Sequence, residues 1–366
     1  MKRGVVAAAL MSVLAATAGA GTAAAQQGGG RFYVTNQDDG TVSVLDAGTR
    51  KVIETVDFKA MGYGGNPKPH HIQVEPDGSY WYLSLIGAGK VLKLDRRNKV
   101  VGSIDTEVPG LLTLHPTQDL LVFARSMSAV NPPMRIGLIK RSSMKLVEEY
   151  DVFFPRPHGI VIHPGGQHVF VASLGVNQLA SIRLEDGQSE LVDVAGPSHT
   201  LTQLSVSPDG QWLAATASTS GNVMLFDVSN PAKPVFSRAV KVGGGPFEAT
   251  FTFDGTLLFV TNLDANTVTV LDTKSWDKVT TVEGEGFSQP HGVGLSADGQ
   301  YVYVSNRHQS GGAHDHEGHK ATGTGTLVAI CIPTKQVASV TPIGHYGAGI
   351  GAPVPAKPPA APAACH

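Results

Sequence analysis

Cysteine is nearly absent: 2 of 366 residues, too few for a disulfide scaffold or a thiolate zinc module. Charge is sparse, with 16% Asp, Glu, Lys and Arg, and 28 basic against 30 acidic groups leave a net charge of -2. So even a balance offers no basic face to a nucleic acid. Aromatics make up only 7%, and charged helix formers are too few for long amphipathic helices. Past the N-terminus no stretch approaches the roughly 18 to 20 uninterrupted apolar residues that span a bilayer. A Ser-His-Asp nucleophile elbow, a phosphate-cradling Gly loop with Lys and a haem-attaching Cys-x-x-Cys-His are also missing. What the chain has in excess is 43 Gly and 23 Pro, the residues of short strands joined by tight turns.

Both ends stand apart from the rest. Met1-Lys2-Arg3, an apolar run from Val5 to Ala18 and then Ala23-Ala24-Ala25 have the basic, hydrophobic and small-residue parts of a secretory signal, so 1–25 is expected to be a leader and 26 the mature start. Losing Lys2 and Arg3 brings the net charge to -4, which suits a soluble, periplasmic or secreted monomer. Residues 351–366, GAPVPAKPPAAPAACH, are too rich in Pro and Ala to pack and are expected as a disordered tail. Cys331 lies in the apolar run Leu327 to Ile332 and is expected as a buried strand residue, not as the partner of Cys365.

Between the ends the chain repeats. Turn signals recur at Pro76-Asp77-Gly78, Pro116 to Asp119, Pro164-Gly165-Gly166, Pro208-Asp209-Gly210, Asp254-Gly255 and Asp298-Gly299, each followed by a β-rich run. Asp-Gly between apolar strands signals a hairpin. First strands begin near 70, 110, 158, 202, 247 and 291, a spacing of about 40 to 48 residues that matches a four-stranded propeller blade. A seventh blade is split between Arg31 to Asp57 and the segment from Gly344 to Ile350. Joining the two halves removes an exposed sheet edge. The expected fold is all-β: a seven-bladed β-propeller over 26–350, closed by N-terminal strands pairing with the C-terminal one.

Tyr33-Val34-Thr35-Asn36, Phe259-Val260-Thr261-Asn262 and Tyr303-Val304-Ser305-Asn306, each followed by a Val-rich strand, resemble the YVTN-repeat propellers, including the periplasmic YncE-like proteins. The resemblance spans about 31 to 350 and implies the propeller fold. That architecture hosts lyases, lactonases, electron-transfer subunits and binding proteins, so function has to be read from the site.

The residue opening each innermost strand faces the mouth of the central channel, and six residues before each first turn stand His70, Gly110, His158, Thr202, Phe247 and His291. Singly, a Pro-His is a turn residue. Three at one register, with His71 beside them, His345 at about the same height in the split blade and His199 three residues upstream, point to converging imidazoles. Such imidazoles are ligands for copper or zinc. The three-His arrangement is similar to the zinc site of peptidyl-hydroxyglycine amidating lyase, and His70-His71 with single later His to the propeller of nitrous oxide reductase. The Pro-His-Gly strings look like those of streptogramin lyase. Glu248, Arg307 and Tyr346, with Arg125, Arg156 and Tyr63 on the same rim, are the candidate acid, base and binding groups. His308, His314, His316 and His319 form a loop expected as a solvated, weakly chelating arm, and His115 and His163 are expected on the opposite surface. Two functions remain: a metal site for redox or lyase chemistry or metal handling on a small-molecule or peptide ligand, or a metal-free YncE-like platform for protein, peptide or cell-wall ligands.

Overall fold

At each Asp-Gly pair the glycine adopts a left-handed backbone, φ 66° to 72° at Gly78, Gly210, Gly255 and Gly299, where a side chain would be strained. The aspartate then closes the turn by accepting an N–H two residues on. Ser79 donates to Asp77, Gln211 to Asp209, Thr256 to Asp254 and Gln300 to Asp298, at 2.9 to 3.1 Å. These turns join the first two strands of four blades.

The computed structural model describes residues 1, 30–126, 131, 133–308, 323–355, 359 and 365. Among these lie 28 strands in seven four-stranded antiparallel sheets, and no helix. Blades one to six occupy 69–105, 112–151, 157–193, 201–241, 246–282 and 290–342, and blade seven combines 31–57 with Gly347–Gly351. Their innermost strands are Pro69–Val74, Leu112–Leu114, Pro157–Ile162, Leu201–Val206, Pro246–Phe251, Pro290–Leu295 and Gly347–Gly351. In blade seven the strand order runs from the C-terminal strand through the three N-terminal ones, which closes the ring as expected.

Each blade is packed face to face between two others, so its inner strands are buried on both sides and read as nearly continuous apolar runs. Leu257–Asn262 is buried at five of six positions. The outermost strand borders solvent, and Val235–Lys241 is exposed at six of seven. Stacked rings clamp the closing blade from both sides: Phe32 on Tyr303 of blade six, centroids 4.2 Å apart, and Tyr33 on Trp81 of blade one, 4.6 Å apart.

One expectation is corrected at the C-terminus. Cys331 is disulfide-bonded to Cys365, and Cys365 packs with Ala352 against the apolar cluster of Phe32, Tyr301, Leu327 and Cys331. Composition argued against packing in this tail, but ring closure delivers the chain back to blade six, where the two Cα atoms stand 5.9 Å apart. Gly351 is itself the last residue of the closing strand. The expected leader after Met1, the loop bearing His314, His316 and His319, and tail residues 356–358, 360–364 and 366 lie outside the described residues.

Candidate functional site at the channel mouth

Two residues before each channel-facing position the backbone turns left-handed. This holds in all seven blades, at Lys68, Val108, Arg156, Thr200, Gly245, Gln289 and Tyr346, with φ between 37° and 66°. Such a conformation costs a non-glycine residue about 1 kcal/mol or more, and six of the seven are not glycine. A repeated bond offsets it. In six blades the carbonyl of this residue accepts the N–H of the residue that follows the second strand: Gln37, Ile86, Leu174, Ser218, Leu263 or Arg307, at 2.8 to 3.2 Å. The mouth is thus built from an axial ring and a surrounding collar. Gln37 and Arg307 are collar residues.

The YVTN motif fastens these rings together. Its threonine, or the equivalent hydroxyl, donates to the carbonyl of the axial residue in the next blade: Thr35 to His70 at 3.3 Å, Thr216 to Phe247 at 2.7 Å, Thr261 to His291 at 3.0 Å, and Ser305 to Ala348. Its asparagine ties the following turn, Asn36 to Thr41 and Ser43 and Asn262 to Thr267 and Thr269. Blade three carries Ala172 at the hydroxyl position. There His158 Nδ1 donates to the Thr202 carbonyl instead.

Three axial histidines meet over the channel. The rings of His70 and His158 are 6.0 Å apart, and those of His70 and His291 6.3 Å. His70 Nδ1 donates to Gln37 Oε1 at 3.0 Å, and His158 Nδ1 is held by its carbonyl. In both, Nε2 is then the nitrogen that keeps its lone pair. His291 Nδ1 lies 3.6 Å from Glu248 Oε1. Burial drives the His158 imidazolium out, holding its pKa at about 4, and His71 is held at about 3 by burial and by the neighbouring His158. Both are neutral at pH 7, the state a metal ligand needs.

The position after the axial residue has its own task. An innermost strand leaves N–H groups along its channel edge, and side chains of the preceding blade take them: His71 Nδ1 from Leu112, Gln203 Oε1 from Ala249 and Glu248 Oε2 from Val293, at 3.1 to 3.2 Å. Glu248 is 5% exposed. Burial raises its pKa to about 8 against the opposing pull of the Val293 N–H and Arg307. It is therefore a protonated acid at neutral pH. Arg307, 3% exposed, lies between two aromatic faces, its guanidinium carbon 4.9 Å from the Phe247 centroid and 4.4 Å from that of Tyr346. Tyr346 also faces His291, ring centroids 6.4 Å apart, and burial raises its phenol pKa while Arg307 lowers it.

This propeller, with a YVTN hydroxyl latch and a histidine-lined mouth, is similar to proteins of known architecture. Residues 198–317 match the family model Lactonase, 7-bladed beta-propeller. No curated protein matches the chain. Among solved structures, Kuenenia stuttgartiensis hydrazine synthase is similar with a TM-score of 0.63 at 19% identity, over 79% of this chain and 91% of that one. A functionally unknown protein from Desulfotomaculum acetoxidans DSM 771 gives 0.69 at 14% identity, over 89% and 99%. Likeness at these identities shows the fold alone.

Of the candidate ligands, the fold brings together His70, His158 and His291, with His71 beside them. His345 does not join. Gly347 pairs with Asn36 as Pro69 pairs with Leu85, so the axial residue of the closing blade is Ala348, and His345 bonds Asp39 at 2.9 Å outside the ring. His199 turns back to the Ala195 carbonyl of its own loop, at 3.0 Å. As placed, no three His, Cys, Asp or Glu side chains among the described residues can hold one ion. Zn–N bonds of about 2 Å would set ring centres about 5 Å apart, so the axial rings would have to draw inward by about 1 Å. Arg125 is engaged elsewhere, paired with Glu149.

Sequence reasoning missed Gln37 and the packing role of Phe247. Both follow from registers the chain displays: Gln37 succeeds Tyr-Val-Thr-Asn as Arg307 succeeds Tyr-Val-Ser-Asn. His115 and His163 are not free surface residues as expected. Their Nε2 atoms bond the Gly166 and Gly210 carbonyls in the turns of the next blades, at 2.8 and 3.0 Å, which staples neighbouring blades together on the far face.

Proposed function

We propose that this chain is an exported propeller that holds a transition metal, copper or zinc, on His70, His158 and His291 and presents it to a small-molecule or peptide ligand at the channel mouth. The observation that carries this reading is the tautomer control: the Nδ1 protons of His70 and His158 are directed at oxygen acceptors, which puts the lone pair of each ring on Nε2, the usual outer support of metal-binding imidazoles. A bound copper or zinc ion would supply Lewis acidity, and copper also electron transfer. The chain's own residues would do the rest. Glu248, protonated at neutral pH, is placed to give a proton rather than take one, Arg307 to hold negative charge, and Tyr346 to offer a phenol beside it. The disulfide and the leader pattern both favour an oxidising compartment, the periplasm or the exterior.

A second reading has its own support. His158 and Glu248 each satisfy a backbone group of the next blade, which is reason enough for their presence in a metal-free binding platform. Metal analysis of tag-free protein after brief chelator washing separates the two. The metal reading expects about one equivalent of copper or zinc, lost on His70→Ala, His158→Ala or His291→Ala and kept on His199→Ala and His345→Ala. Equal metal content across all five variants refutes it.

A further inference from the structure

Among the described residues, Arg307 is a buried arginine at the mouth whose side-on hydrogen-bonding edge is left without an acceptor. Its Nε and Nη2 are buried and make no hydrogen bond among the described residues. These two nitrogens lie on the same edge of the guanidinium plane, with their N–H bonds parallel, the fork that a carboxylate bridges with its two oxygens. Phe247 and Tyr346 flank the guanidinium carbon at 4.9 and 4.4 Å from their ring centroids, which favours a partner that approaches along the fork edge. Tyr346 Oη, also buried, likewise makes no hydrogen bond among the described residues. A guanidinium stays charged even where burial lowers its proton affinity, and leaving such a group without a hydrogen-bonded counter-charge is costly.

Its surroundings place Arg307 at the mouth. Arg307 is a collar residue of blade six, anchored by its N–H on the Gln289 carbonyl at 3.2 Å. The corresponding residue of blade seven, Gln37, reaches the axial His70 of the next blade. Arg307 faces a next blade whose axial residue is Ala348, whose methyl group cannot accept a hydrogen bond. The acidic groups around it do not fill the fork: Glu248 spends Oε2 on the Val293 N–H, and Asp38 and Asp264 act on Arg307 only through space.

From this geometry we infer that Arg307 and Tyr346 form a subsite for a planar carboxylate of a small organic acid, held in the Nε/Nη2 fork with the phenol as an additional donor, beside His291. The fork sets the carboxylate plane, and the flanking rings of Phe247 and Tyr346 favour a flat anion over a tetrahedral one in the same grip. This subsite goes beyond the metal reading and does not need a metal to be bound.

The test uses chelator-washed full-length protein with labelled arginine, following the Arg307 Nε–H resonance by NMR, with benzoate as probe, benzamide as its neutral isostere and inorganic phosphate as a non-planar anion. Benzoate is expected to move that resonance saturably, and benzamide not to move it. Phosphate should bind about tenfold more weakly than benzoate, and Arg307→Lys, which keeps the charge and loses the fork, should weaken benzoate about tenfold. Tyr346→Phe should weaken it less. No benzoate response at tens of millimolar, an equal response to benzamide, or phosphate binding as tightly as benzoate overturns the assignment. So does an Arg307→Lys variant that melts like wild type and binds benzoate equally well. If that variant fails to fold, the wild-type comparison of benzoate, benzamide and phosphate still decides. Because no metal is present, failure of the metal reading leaves this result untouched.

Discussion

Moving the pH of chelator-washed protein away from neutrality perturbs three buried groups at the mouth in opposing directions. Glu248 has an ordinary pKa of 4.5 and a folded value of about 8. Between those values the native state keeps a proton that the unfolded chain has released, so stability falls as pH rises, by about 1.4 kcal/mol per unit. His158 and His71 have ordinary values of 6.5 and folded values of about 4 and about 3. Below 6.5 the unfolded chain binds protons that the folded histidines refuse, so stability falls as pH drops. From 4.5 to 6.5 the two histidines outweigh Glu248 by one proton, and above 6.5 Glu248 acts alone among the three. Stability should peak near pH 6.5, lower by about 2 kcal/mol at pH 8 and by about 3 kcal/mol at pH 4.5. Glu248→Gln retains an amide oxygen for the Val293 N–H and cannot ionise, so it should flatten the alkaline side while keeping the acid side. Urea denaturation of both proteins across this range reads the difference directly. Parallel profiles between pH 6.5 and 8 would refute the burial argument for Glu248.

Three further outcomes probe the frame that holds the mouth. Gly292→Ala places a Cβ 2.1 Å from the Ala348 carbonyl oxygen and 2.7 Å from Ser305 Oγ, so it should destabilise by about 1 to 3 kcal/mol and lower the melting temperature by several degrees. Gly65→Ala, with nothing within 4 Å, should melt like wild type, and equal melts for the two would remove the case for close blade packing at Gly292. His115→Ala should cost about 1 to 3 kcal/mol through its lost bond to the Gly166 carbonyl without changing metal content; an unaltered denaturation midpoint would show that the far-face staple contributes nothing. Cys365→Ser should lose about 2 to 4 kcal/mol, and reducing agent should lower the wild-type melt to match it. A variant as stable as the oxidised wild type would contradict the tail's role in holding blades six and seven.

Period and turn chemistry by themselves determine the architecture. Asp-Gly pairs demand left-handed turns wherever they fall, and an unmatched strand edge demands its complement, so blade count and ring closure could be read from Asp77-Gly78 onward and from the unmatched strands expected from Arg31 and from Gly344. The axial register of His70, His158 and His291 was legible for the same reason, since each stands at a constant distance from a turn. Only the tertiary structure decided what that register touches. A left-handed residue ahead of an innermost strand, as at Lys68 and Tyr346, has no signature in residue type, because the collar bond that tolerates it is made to a residue of the next strand or, for Tyr346, of the other end of the chain. His345 and Ala348 exchanged places at the axis once the closing strand's pairing to Asn36 was fixed. Cys365 found Cys331, and Arg307 came to lie between Phe247 and Tyr346, through contacts between blades. Composition and period describe each blade on its own, whereas desolvation, pKa and the direction of a buried donor are properties of neighbours, and in a ring the neighbours are supplied by the other blades.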